Sequence, residues 1–136
     1  MPGQGLSATE RIRRRPDFER VYNGGVRMHG RFMTVFVIPN GGPAARLGVA
    51  ATRKLGSAVE RNRAKRLARE VFRRHKVAAA LDIVVVPRRE MLDAPFASLE
   101  SEYQSLLERH GREGARGGAH RARSGRDRRP RSAPRV

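Results

Sequence analysis

The sequence predicts an α+β fold, a two-layer sandwich of helices on one mainly antiparallel sheet. Three observations predict it. "RFMTVFVIP" and "LDIVVVP" are short, rich in β-branched and aromatic residues, and bounded by turn or proline signals. A long segment between them has helical apolar spacing and opens on a capping pattern. Apolar residues at i, i+3, i+4 place a helix at either end of this run. The chain has 136 residues, which suits one domain.

The elements follow in order. Residues 1–12 read as a flexible extension, and the folded domain spans 13–110. Pro16 suits a first helical turn, where its missing N–H costs nothing. "PDFERVYNGG" then forms a short helix with Phe18, Val21 and Tyr22 on one face, ending at Gly24 and Gly25. In "RFMTVFVIP" one face takes Phe32, Thr34, Phe36 and Ile38, and the other takes Met33, Val35 and Val37. Both faces are apolar, so both should be covered. "NGGP" is a turn, "ARLGVAATRK" a second strand and "LDIVVVP" a third, apolar enough for the interior.

The long helix is expected over 57–76. Ser57 and Glu60 match a capping box. Ala64, Leu67, Ala68, Val71 and Phe72 gather on one arc. Arg61, Asn62, Lys65, Arg66, Arg69 and Arg73 gather on an opposite arc about 140° wide. The last helix, "PFASLESEYQSLLERH", buries Phe96, Leu99, Tyr103, Leu106 and Leu107. Glu100, Glu102 and Glu108 read as its exposed acidic face. Residues 111–136 hold nine Arg and two acids among Gly, Ser, Ala and Pro, and read as a disordered tail.

Charge narrows the function. The net charge is +17, from 30 Lys and Arg against 13 Asp and Glu, and it is not confined to the tail. Such self-repulsion points to a polyanionic partner, nucleic acid first. The long helix sharpens the point. Arg61, Lys65, Arg69 and Arg73 follow one another at i,i+4, where a merely soluble helix would alternate signs. Asn62 can both donate to and accept from RNA groups or a hydrated metal. Phe18 and Tyr22 suit either core packing or stacking on unpaired bases.

Other chemistry is missing from the sequence. With 0 Cys there are no disulfides, thiol nucleophiles or Cys zinc sites. His29, His75, His110 and His120 show no metal-ligand spacing, and no G-x-S-x-G or P-loop occurs. His75 reads as a helix C-terminal cap and Asp93 as an N-cap. No acid–base constellation stands out, so no catalytic residue is expected. No apolar run approaches a membrane span, and no secretory leader is visible, which favours a cytoplasmic protein.

At this point the residues resemble a known family. "LGVAATRKLGSAVERNRAKRLAREVFR", Leu47 to Arg73, is similar to the signature of the bacterial ribonuclease P protein component. Its RNR run is Arg61-Asn62-Arg63. "PDFERVY" resembles the family's first helix and "DIVVVPR" its last strand.

The resemblance implies the order αβββαβα, a four-stranded sheet and a left-handed βαβ crossover, a fold shared with a ribosomal-protein domain. It implies partnership with a catalytic RNA, one protein per RNA. That RNA performs the magnesium-dependent removal of the 5′ leader from precursor tRNA. By position, Phe18, Tyr22 and Val35 would line the leader cleft. Val35 stands where relatives often carry an aromatic. Arg53, Lys54, Arg61, Asn62, Arg63, Lys65, Arg66, Arg69 and Arg73 would form the RNA face, with Asn62 near metal held mainly by the RNA.

Three other classes were open on composition. A ribosomal protein or RNA chaperone shares the charge and size. A DNA-reading helix usually needs a dimer or helix-turn-helix partner, and none is visible. A membrane or calmodulin-target helix needs a free apolar face, which Leu67, Val71 and Phe72 deny it.

Overall fold

The structure, a computed structural model, describes Leu6 and residues 8–116, with side chains through residue 111. A 3-10 turn (Ala8–Glu10) precedes helix α1 (Arg15–Gly24). Strands β1 (Val26–His29), β2 (Met33–Pro39) and β3 (Arg46–Val49) follow, then helix α2 (Ala58–Arg74) and strand β4 (Leu81–Pro87). A 3-10 turn (Arg89–Asp93) leads to helix α3 (Phe96–Arg116). The sheet order is β1-β2-β4-β3. β1–β2 and β2–β4 are antiparallel, while β3 and β4 are parallel and joined through α2. The fold is thus α+β in the order αβββαβα.

The sheet has apolar side chains on both faces. Met33, Val35, Val37, Ile83 and Val85 face the main core with α2 and α3. Phe36 and Val84 face α1 in a smaller core with Phe18, Val21 and Tyr22. α2 contributes Ala64, Ala68, Val71 and Phe72 to the main core, with Leu67 partly buried beside it. Burying Val71 and Phe72 stabilises by roughly 1.5–3 kcal/mol each.

Four sequence expectations need revision. β1 escaped the residue reading because it has only four residues and one buried side chain, Met28. The second strand is shorter than expected. Beyond Val49 the chain leaves the sheet for a turn closed by Leu55 N donating to Thr52 O at 3.0 Å. The described part of the N-terminal segment, Leu6 and residues 8–12, is docked where a flexible extension was expected over 1–12. Leu6 and Ile12 are buried, and Ile12 N donates to Leu47 O at 2.9 Å, extending the free edge of β3. α3 continues through Arg116, past the expected boundary at 111. The remainder of that tail, 117–136, lies outside the described residues.

The acidic face of α3 is also put to structural use. Glu102 accepts from the backbone N–H of Arg31 at 2.7 Å, Phe32 at 2.8 Å and Met33 at 3.0 Å. Glu100 meets His75 Nε2 at 2.9 Å, and the His75 N–H caps α2 on Val71 and Phe72. Asp82 is fully buried at the start of β4 and ties α1 to the sheet.

Candidate nucleic-acid interface

The site begins at the turn before α2. Gly56 sits at φ +150°, a conformation that side chains resist, and any Cβ there would collide with Glu60. Ser57 N donates to Glu60 Oε1 at 2.9 Å and Glu60 N to Ser57 Oγ at 3.2 Å, so the expected capping box is formed. The backbone N–H of Ser57 holds the Glu60 carboxyl below its ordinary range, against burial and with help from Arg89.

The cationic face of α2 is more differentiated than its spacing suggests. Asn62, Arg63 and Arg66 are exposed. Arg61, Lys65, Arg69 and Arg73 are half-buried. Arg61 Nη1 donates to the Gly56 carbonyl at 2.9 Å and so braces the turn. Arg73 meets Glu70 at 2.6 Å and Arg74 meets the same carboxylate at 2.7 Å. The i,i+4 repulsion inferred from sequence is therefore relieved at both ends of the row. Arg69 meets a different repulsion: burial first, then the charges of Arg11 and Arg66, lower its pKa.

The turn connects this helix to a cleft of about 470 Å³ on the α1 side of the sheet. Arg27 and His29 of β1, Thr34 and Phe36 of β2, and Val86 of β4 line it, and Lys54 reaches it from the turn. Arg53 is exposed on the same turn but does not line the cleft. Phe36 forms the inner wall. Its ring meets Tyr22 edge-on with centroids 5.0 Å apart, and Tyr22 leads on to Phe18 at 6.4 Å.

Phe18 is 3% and Tyr22 5% exposed, so their rings belong to the small core and support the cleft through Phe36. Phe18 packs directly on the backbone at Gly48, where a Cβ would stand 2.8 Å from its ring. Tyr22 Oη is buried with no hydrogen-bond partner, and burial pushes its pKa up.

Val35 is corrected. It is 0% exposed and faces α2 and α3, on the opposite side of the sheet from Phe18 and Tyr22. Side chains alternate along a strand, so a one-residue offset moves a residue to the other face. Phe36 and Thr34 hold the cleft positions. Arg27, His29 and Arg88 were not expected at the cleft. For Arg27 and His29, their alternation with Val26 and Met28 was the available signal.

His29 organises this wall. Its Nε2 lies 2.7 Å from Arg88 Nη1 and its Nδ1 3.0 Å from Thr34 Oγ1. Arginine only donates, so Nε2 accepts and the proton of the neutral ring sits on Nδ1, facing Thr34. Burial, then Arg88 and Arg27, lower the His29 pKa, while Glu102 opposes them. Among the described residues no cluster of three His, Asp or Glu side chains is arranged to hold a metal, and no helix is long and apolar enough to cross a membrane.

The site is thus a basic helix face joined to an open cleft floored by the sheet, on an α+β frame. The family model described as Ribonuclease P matches residues 6–111. The ribonuclease P protein component of Oleidesulfovibrio alaskensis is 41% identical over 106 residues, covering 75% of this chain and 84% of that protein. The solved RNase P protein of Thermotoga maritima superposes with a TM-score of 0.67 at 35% identity, covering 74% of this chain and 96% of its own. A Staphylococcus aureus RNase P protein mutant with defective mRNA degradation activity gives 0.69 at 32% identity, covering 76% and 89%. The chain belongs to the ribonuclease P protein family, and its role is that of a protein subunit of this ribonucleoprotein in tRNA processing.

Proposed function

We propose that the chain docks the catalytic RNA of ribonuclease P through α2 and holds the 5′ leader of precursor tRNA in the cleft. The observation that carries this reading is continuity. The exposed Asn62, Arg63 and Arg66 of α2 connect through the braced turn at Arg53–Gly56 to Lys54 at the cleft. One rigid unit can therefore set the RNA and the leader relative to each other.

The division of labour follows from side-chain chemistry. Arg63, Lys65, Arg66 and Arg69 neutralise phosphates of the docked RNA, and Arg53 extends that field. In the cleft, Arg27, Lys54 and Arg88 supply charge along a single strand, His29 offers ring surface for bases, and the buried Phe36 backs that surface from the wall. Such contacts read shape and charge, so sequence preference among leaders is weak. Arg61 acts through the turn, and Arg73 acts mainly within the helix.

Cleavage of the leader depends on magnesium in this reading, and the RNA holds it. Asn62 offers one neutral oxygen, which does not make a protein-held magnesium site. No catalytic step is assigned to a side chain. One protein per RNA and action in the cytoplasm complete the proposal.

The experiment is cleavage of 5′-labelled precursor tRNA by a catalytic ribonuclease P RNA at low magnesium, with and without the protein. Accurate cleavage restored by the protein, with no cleavage by the protein alone, supports the subunit reading. RNA binding without stimulation would favour a general RNA-docking role.

A further inference from the structure

Arg11 is not among the residues that the RNR signature singles out. It lines a recess of about 600 Å³ beside α2, together with Arg63, Arg66, Arg69 and Arg74. Leu67 and Phe96 supply apolar surface to the same recess. Arg11 is held there by its own segment. Ile12 is buried, its N–H donates to Leu47 O at 2.9 Å, and Glu10 pairs with Lys76.

The cations of this recess differ in how they are balanced. Arg74 is neutralised by Glu70 at 2.7 Å and lies over the Phe96 ring at 5.0 Å. Among the described residues, Arg11, Arg66 and Arg69 have no carboxylate in ion-pairing reach. Arg11 Nε is moreover buried without an acceptor. Arg11 and Arg66 are close enough to Arg69 for their charges to lower its pKa.

Three like charges and an unsatisfied donor at one place are unfavourable in the free chain. A single oxyanion relieves both at once. Guanidinium groups suit this task, because their planar forks match phosphate geometry.

We infer that Arg11, Arg66 and Arg69 form one phosphate-binding site that takes a single backbone phosphate of the docked RNA. The site rests on the RNA-binding reading above and adds the N-terminal segment to it. An RNA phosphate fits better than a free anion. The recess continues into the exposed Arg63 and Arg66 face, and Leu67 and Phe96 offer a surface for the adjoining sugar or base.

The test is equilibrium binding of the full chain to the catalytic RNA across a KCl series. Wild type, Arg11→Ala, Arg11→Gln, Arg69→Ala and the Arg11→Ala/Arg69→Ala double variant are compared, with circular dichroism melts of each. Arg11→Gln keeps a stem and polar head should Arg11→Ala undock the segment. Removing Arg11 is expected to weaken binding by roughly 5–10-fold and to lower the log–log salt slope by about one. The double variant is expected to bind within about 2-fold of Arg69→Ala, because a shared phosphate is lost only once.

Unchanged slopes for Arg11→Ala and Arg11→Gln overturn the site, as does a fully additive double variant. A wild-type slope near zero overturns the RNA-binding reading itself. A steep wild-type slope that both Arg11 variants retain overturns the phosphate site alone.

Discussion

Arg46 grips the fully buried Asp82 carboxylate with two hydrogen bonds, Nε to Oδ1 at 2.8 Å and Nη2 to Oδ2 at 2.7 Å. Arg20 of α1 adds a contact at 2.6 Å and Asn40 one at 2.9 Å. The network joins α1, β3 and β4 at the end of the sheet remote from the cleft. Burial pushes the Asp82 pKa up, but the Arg46 and Asn40 hydrogen bonds and the arginine charges outweigh it, and the net shift is downward. Asp82→Ala leaves Arg46 without its partner and is expected to cost on the order of 3 kcal/mol, the low end for a broken buried pair because both arginines stay partly wet. Thermal denaturation measures it.

The same pair sets an acid limit. A carboxylate with a lowered folded pKa contributes stability that is complete above its unfolded value, roughly pH 3.9. That contribution is lost as pH falls below there through the folded pKa. Melting temperature measured from pH 6 down should fall less steeply at the acid end in Asp82→Asn than in wild type. Parallel curves would show that Asp82 does not govern acid stability.

Glu102 predicts a second stability effect, at the opposite end of the sheet. Its carboxylate satisfies three successive amides at the β1–β2 turn. Glu102→Ala strands them and is expected to cost about 2 kcal/mol. Hydrogen exchange should speed up at Arg31, Phe32 and Met33 before the sheet interior. Uniform acceleration across the sheet would argue against a local clamp.

Both faces of β2 carry core residues, but only one of them lines the cleft. Phe36→Ala removes both the cleft wall and a ring of the small core, so it is expected to lower stability by roughly 3–5 kcal/mol and, where the variant stays folded, to weaken precursor tRNA binding more than binding of leaderless tRNA. Val35→Ala should lower stability by roughly 1–3 kcal/mol and leave that leader discrimination intact. The reverse pattern would return Val35 to the cleft.

Arg66 and Arg73 divide the helix face in a similar way. Arg66 is exposed with no carboxylate partner among the described residues, whereas Arg73 is bonded to Glu70. Arg66→Ala should lower the salt slope of RNA binding by about one, and Arg73→Ala by much less. Equal slopes would mean that Glu70 releases Arg73 when RNA binds.

His29 should respond to pH within the cleft. Its pKa lies below 6.5, so the ring is neutral at pH 7 and accepts from Arg88. A lowered histidine pKa stabilises the fold fully above the unfolded value and loses that contribution as pH falls through the folded one. The imidazole proton shifts in an NMR titration should show a midpoint under 6.5, moving up in Arg88→Ala. A midpoint insensitive to that change would separate His29 from Arg88.

The α+β class, α1, the capped α2 with its apolar and cationic arcs, and the apolar strands β2 and β4 are legible in the residues alone. These rest on local periodicity and on capping chemistry between residues a few positions apart, such as Ser57 and Glu60. The RNR resemblance added the family, the fourth strand and the RNA reading. Which face of β2 meets α1 follows only from packing, and it exchanges Val35 for Phe36 at the cleft, because alternation fixes that two faces exist but not what covers each.

Contacts distant in sequence were equally beyond reach. The 62-residue separation of Arg20 and Asp82, the gathering of Glu102 onto the β1–β2 turn, and the delivery of Arg11 to Arg66 and Arg69 all depend on how elements pack. A run of arginines in sequence states how much charge a helix carries. Which of those charges stay free for a polyanion is settled by neighbours such as Glu70 and the Gly56 carbonyl, and these become neighbours only when the chain has folded.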